Sequence, residues 1–179
     1  MSVSTDTNEL VDPAALTNSQ RGQLAELIFI RKAASLGFAV AKPWAEGERY
    51  DAIVRVQNRL WRVQVKSVLH KVTSRAYYRA FTSGRKGSSG RRTAYSANEI
   101  DFLVVYIFAE DTWYVFPVDF IQGRQFVWVN PACKSSKFEP YREAWHLMKP
   151  ADLQNGAQRV LGHDGSNSVS EEAELQFST

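Results

Sequence analysis

Asp51, Gln64, Val65 and Lys66 are the residues whose types and spacing can do chemistry together. They lie on two runs with strand character, residues 50–56 and 60–67, separated by a polar turn at Gln57-Asn58. With those two residues as the loop, hairpin partners sum to 115 and Asp51 falls opposite Gln64. Opposed side chains share a sheet face, with Cβ atoms roughly 5 Å apart. Lys66 is two residues beyond Gln64 and points the same way, whereas Trp61, Val63 and Val65 point to the other face, toward a core. One end of the hairpin therefore presents a carboxylate, an amide oxygen, an ammonium and the main-chain carbonyl of Val65. Mg²⁺ takes oxygen ligands and usually binds one or two carboxylates together with substrate phosphate. An ammonium beside it lowers the cost of a nearby hydroxide and of charge on a transferring phosphorus. The set suits a hard cation and a phosphodiester. On its own the pattern Asp-x12-Gln-x-Lys is short, and an exposed polar strand face satisfies it equally well.

A helix over 18–37 is expected to bring a third group. Leu24, Leu27, Ile28 and Ala34 mark its apolar stripe, Asn18 or Ser19 can cap its start, and Gly37 suits its end. Glu26 has Gly22 four residues before it, with Phe29 and Ile30 after it, so it sits at the margin of the buried face. No Lys or Arg stands at its i+3 or i+4 position, which leaves it without a simple ion pair in that direction along the helix. It can reach a cation at the hairpin directly or through water; the plain alternative is a solvated Glu.

Gly22-x3-Glu26, then Tyr50-Asp51, then Val63-Gln64-Val65-Lys66 resembles the PD-(D/E)XK nuclease superfamily. The Gln variant, with the later Tyr95, residues 100–106 and residues 113–118, is similar to its group I intron-encoded homing endonuclease branch. The resemblance covers roughly residues 18 to 120. It implies an α/β, restriction-endonuclease-like core, a mixed central sheet flanked by helices. It implies hydrolysis of DNA with Mg²⁺ or Mn²⁺, with Glu26, Asp51, Gln64 and Lys66 as catalytic residues and Asp51, Gln64, Val65 and Glu26 as metal ligands. Tyr50 stands where the superfamily name has Pro, and Gln64 stands where Glu is usual, which removes one negative charge. A junction resolvase or repair nuclease of the same fold is an alternative. So is a nucleic-acid-binding module that has lost its metal.

Composition bounds the rest. The 179 residues fit one domain; 44% are hydrophobic and 23% charged, as in an ordinary globular chain. The longest apolar run, Phe102 to Ala109, is far too short to span a bilayer, and residues 1–9 carry no secretory signal. Cys133 is the only cysteine, so no intrachain disulfide can form, and a cytoplasmic, reducing setting is expected. Three His and one Cys have no zinc-site spacing, and the Gly-rich run 84–90 lacks a P-loop ending.

Charge placement says more than the net +3. From Ala52 to Asn98 there is no acid but eleven of the 22 basic residues. Such a stretch repels itself unless a polyanion meets it. Arg75, Arg79, Arg85, Lys86, Arg91 and Arg92 are the expected DNA contacts, with Tyr77, Tyr78 and Phe81 interleaved. Double-stranded DNA is then the expected partner. Cutting both strands needs either two active sites or sequential nicks; with one site per chain, a homodimer or homotetramer is expected.

The expected organisation is a polar arm at 1–16, a nuclease-like domain at 17–150 and an acidic tail within 151–179. A basic insertion at 70–94 reads as mobile at its Gly- and Ser-rich centre. Short strands are expected at 38–41 and 126–129, longer ones at 102–108 and 113–118, a helical turn at 96–100 and a short helix at 141–148.

Overall fold

The computed structural model describes residues 11–45, 47–72, 76–85 and 91–150. Residues 1–10 of the expected polar arm and the acidic tail lie outside these residues, and the rest of the arm carries a 3-10 turn, Pro13–Ala15. Helix α1 spans Asn18–Ser35, followed by strands β1 (Ala39–Ala41), β2 (Ala52–Val56) and β3 (Arg59–Val68). Strands β4 (Tyr78–Phe81), β5 (Ser83–Arg85) and β6 (Arg92–Ala94) precede β7 (Phe102–Ile107) and β8 (Thr112–Pro117). A short helix α2 (Val118–Ile121) and strand β9 (Phe126–Val129) complete the regular elements, apart from 3-10 turns. The main sheet has the order β1-β2-β3-β7-β8 and is mixed: β3 and β7 are parallel, and the other pairs are antiparallel.

The hairpin register follows from the turn. Ala52 pairs with Val63 and Val56 with Arg59, so partners sum to 115 as expected. Gln57 takes the positive φ of 55° that so tight a reversal requires. Asp51 stands one residue before the ladder, and its amide donates to the Val63 carbonyl at 2.9 Å. Parallel strands need a long crossover, usually a helix. Here the connection from β3 to β7 is residues 69–101, which carry β4, β5 and β6 instead.

Helix α1 is capped by Thr17, not Asn18 or Ser19. Thr17 and Gln20 form a capping box, with Gln20 N donating to Thr17 Oγ1 at 3.3 Å and Thr17 N to Gln20 Oε1 at 3.0 Å. Gly37, at φ 78°, follows the helix end. The buried stripe is Ala25, Phe29 and Ala33, whereas Leu27 is 63% exposed and Ala34 is also on the surface. The physical reason is closeness. Two alanines on either side of Phe29 let the helix lie against Val54, Val63, Val65 and Val104, and the leucines fall to its flanks.

The opposite face of the sheet is covered by a two-stranded ribbon, β4 with β9, and by α2. Leu103, Val105, Ile107, Tyr114 and Phe116 pack there against Tyr78, Ala80, Val127 and Val129. The basic insertion is therefore largely built structure: β5 pairs with β6, and Thr82 and Ser83 are buried. The expected mobile centre is corrected to that extent; residues 86–90 lie outside the described ones. The short helix expected at 141–148 is instead two 3-10 turns, Glu139–Tyr141 and Trp145–Met148, interrupted at Glu143 by a φ of 49°.

Arg62 and Asp101 pin the start of β7 beside β3. Asp101 accepts from Arg62 N at 2.7 Å, Nε at 3.1 Å and Nη2 at 2.8 Å, and Asp101 N donates to the Arg62 carbonyl at 2.8 Å. Burial alone would raise the Asp101 carboxyl, but the hydrogen bonds from Arg62 outweigh it and hold it below its usual value. Asp101→Ala is expected to cost about 1–3 kcal/mol, because it leaves a backbone donor and a guanidinium without their acceptor. A chemical denaturation midpoint unchanged by the substitution would show the pair to be a screened surface contact.

Candidate metal and phosphodiester site

The C-terminal part of β3, the residue before β2 and the first half of α1 converge on one open cleft of ≈780 Å³. Glu26, Asp51, Gln64, Val65 and Lys66 all line it. Their positions have separate local causes. Gln64 and Lys66 pair with Leu103 and Val105 of β7, so they share a sheet face. Val63 and Val65 belong to the core under α1, as the alternation requires. Asp51 is held by its carboxylate: Oδ2 accepts from Val65 N at 2.8 Å and from Gln64 Nε2. Glu26 does have an ion-pair partner, but not on its own helix. Lys42, at the end of β1, reaches it at 2.5 Å.

Burial dominates the electrostatics. It lifts the Asp51 carboxyl to about 6, opposed by the Val65 amide and the Lys66 charge. It pushes the Lys66 ammonium down, against the pull of Asp51. Burial thus disfavours the charged form of each group, while each charge favours the other's. A divalent cation fits this donor set, because it would meet a carboxylate that burial leaves short of positive charge. Among the described residues no group of three or more His, Cys, Asp or Glu gathers at one point. With Asp51, Glu26 nearby, and amide or carbonyl oxygens, the site suits a hard cation that keeps water and uses few carboxylates.

Tyr95, which entered only through the resemblance and with no role, is a site residue. Its hydroxyl donates to Gln64 Oε1 at 3.0 Å, its ring lies under the Arg49 guanidinium at 4.4 Å, and Lys66 Nζ is 5.7 Å from the ring centre. No local pattern pairs residues 64 and 95; the crossover brings them together. Gly84 closes the contact. A Cβ there would sit 2.4 Å from Tyr95 Oη and 2.9 Å from an Arg49 nitrogen, so only glycine fits without displacement.

The far wall of the cleft is basic and aromatic. Arg79, Phe81 and Arg92 line it, with Arg79 5.3 Å and Arg92 4.4 Å from the Phe81 ring centre. Arg91 is exposed beside Arg92. Tyr78, by contrast, is buried and donates to Glu110 at 2.8 Å, so it faces away from any ligand. Arg75, Lys86 and the side chain of Arg85 lie outside the described residues. The acid-free stretch is also partly neutralised from elsewhere: Arg62 pairs with Asp101, and Lys71 with Glu110 at 3.1 Å.

Comparison with known proteins bears on the fold and the family. The family model described as PD-(D/E)XK endonuclease matches residues 16–148. The structure of a bacterial homing endonuclease, I-Ssp6803I, aligns with a TM-score of 0.65 and 29% identity, covering 81% of this chain and 99% of that one. A Holliday junction resolvase, Hjc of Archaeoglobus fulgidus, aligns at a TM-score of 0.40 and 13% identity over 63% of this chain and 85% of its own. That likeness is too distant to carry an argument. No curated protein sequence matches the chain. Among the described residues no helix is long and apolar enough to cross a membrane. With the mixed sheet, the restriction-endonuclease-like core and the matched span, the chain belongs to the PD-(D/E)XK endonuclease family.

Proposed function

We propose that this endonuclease hydrolyses phosphodiester bonds of double-stranded DNA with Mg²⁺ or Mn²⁺, in the manner of a homing enzyme. The observation that carries the reading is the shared cleft: Asp51, Gln64 and Lys66 on one side, Arg79 and Arg92 on the other. Asp51 and the Val65 carbonyl would hold the cation, with Gln64 beside them and Glu26 acting directly or through water. A cation bound there supplies Lewis acidity to the phosphate and acidifies water. Lys66 Nζ donates hydrogen bonds to the attacking water or to a phosphate oxygen, and its charge stabilises the transition state. The half-buried setting strengthens both effects. Arg79 and Arg92 place the backbone, and their guanidinium forks match guanine edges.

Scission of both strands takes either two such sites or sequential nicks, and with one site per chain the former makes the acting form a homodimer or homotetramer. Sedimentation with and without duplex would show it. The substrate assignment is tested by offering a random-sequence duplex library and a four-way junction in parallel, and mapping the ends. Recurrent cuts at one duplex sequence support a homing-like enzyme. Cutting confined to the junction would replace that assignment with a resolvase.

The basic wall makes a separate prediction. Each phosphate contact releases counterions, so duplex affinity should fall steeply with salt. Arg79→Ala with Arg92→Ala should weaken binding and flatten that slope by up to about one unit per lost contact. Fluorescence anisotropy at several salt concentrations measures it, and an unchanged slope would place the DNA elsewhere.

A further inference from the structure

The Gln64 amide is turned the wrong way for a metal ligand. Its Nε2 donates to Asp51 Oδ2 and to the Val65 carbonyl, the latter at 3.2 Å, while Oε1 accepts from Tyr95. A cation held by Asp51 and Val65 would meet the amide's donors. We propose that the Gln64 amide inverts on cation binding, and that Tyr95 is the positioning residue that permits it. In the inverted state Oε1 faces the cation and Nε2 donates to Tyr95 Oη. This rests on the metal-site reading above.

The chemistry of the neighbours supports the turn. The terminal torsion of Gln is broad and two-fold, so both orientations occupy the same space. Without a cation, an inverted amide would point its oxygen at a carboxylate and a carbonyl, which repels; with a cation between them, that same arrangement attracts. Gln64 is 6% exposed and Tyr95 2%, so water cannot readily serve the side of the amide facing Tyr95. The partner there must accept from nitrogen in one state and donate to oxygen in the other. A hydroxyl does both, and Lys or Arg cannot. Tyr95 is also fixed in place, with Gly84 against its hydroxyl and Arg49 over its ring, so only its hydroxyl hydrogen has to move. The arrangement further explains a neutral residue at position 64: in the absence of cation Gln64 donates to Asp51, where a Glu would repel it.

The test uses Mg²⁺ as the probe, without DNA. In side-chain amide spectra of ¹⁵N-labelled protein, the Gln64 NH₂ pair is identified by its loss in Gln64→Leu. It is expected to shift on Mg²⁺ addition and to gain a cross-relaxation contact with the Tyr95 ring. Titration calorimetry then compares Tyr95→Phe in two backgrounds. With Gln64 present, Tyr95→Phe leaves the amide oxygen unpaired without cation and a buried N–H unpaired with it; the unpaired N–H is the costlier of the two, so Mg²⁺ binding should weaken about threefold. In the Gln64→Glu background both oxygens are acceptors and no turn is needed, so Tyr95→Phe should leave Mg²⁺ affinity unchanged. That coupling is what a merely structural Tyr95 would not produce. Equal weakening in both backgrounds, or a Gln64 pair that binds Mg²⁺ without changing its contacts, would overturn the inversion alone. Absence of Mg²⁺ binding in both wild type and Gln64→Glu would overturn the metal site as well.

Discussion

Replacing Asp51 by Asn should abolish cleavage while making the metal-free protein more stable at neutral pH. The loss of activity is expected to exceed ~100-fold, since even the outer partners of metal ligands cost 10–100-fold when removed. The stability change follows from the carboxyl's shift from 3.8 to about 6. A group whose folded value is raised destabilises the fold once pH climbs above its unfolded value. Here the penalty grows between pH 3.8 and about 6 and is constant above. Asn carries no such charge, and its side-chain oxygen can still accept from Val65 N. Asp51→Asn should therefore gain on the order of 2 kcal/mol above pH 6 in EDTA, and nothing near pH 3.5. Denaturation at both pH values checks this. Equal effects at the two would mean that Asp51 does not titrate as its burial requires.

Lys66→Met should likewise cost more than ~100-fold in cleavage, the scale of removing one preorganised donor to a developing charge. Unlike Asp51→Asn, it should leave Mg²⁺ binding in place or tighten it, because a neighbouring positive charge is gone. Lys66→Arg should not restore the rate, since a planar guanidinium cannot take the place of a compact ammonium at one oxygen. Calorimetry and a cleavage assay on the same preparations separate the two roles. Lost metal binding in Lys66→Met, or near-normal cleavage, would remove Lys66 from the chemistry.

The hairpin was legible because its signals are local. The Gln57-Asn58 turn sets the register, and the register sets which side chains share a face with Gln64. The parallel partner of β3 and the placement of Tyr95 were not legible, because they depend on how residues 69–101 cross over. The α1 stripe differs from one drawn by apolar size. The buried positions are Ala25, Phe29 and Ala33, whose four-residue spacing is in the sequence but rests on two alanines around one Phe. The capping box at Thr17 and Gln20 is also local, one residue ahead of the polar pair Asn18-Ser19. Composition misled in the basic insertion. Gly and Ser point to mobility without ligand at 82–93, yet Gly84 lies tight against Tyr95 and Ser83–Arg85 pairs with Arg92–Ala94; before that centre, Tyr78 and Ala80 alternate with Arg79 and Phe81 as one face of a paired strand. That pairing joins β4 to β9, far apart in the chain, and no local pattern announces it.

The most direct test is conversion of supercoiled plasmid carrying a cut site recovered from the library. Wild-type protein and Asp51→Asn should be assayed side by side, each with Mg²⁺ and with EDTA. The expected result is nicked and linear plasmid from the wild type with Mg²⁺ alone. EDTA should abolish it, and Asp51→Asn should give none while still binding the duplex. Cleavage by the wild type in EDTA, or cleavage by Asp51→Asn at the wild-type rate, would contradict a metal-dependent site built on Asp51.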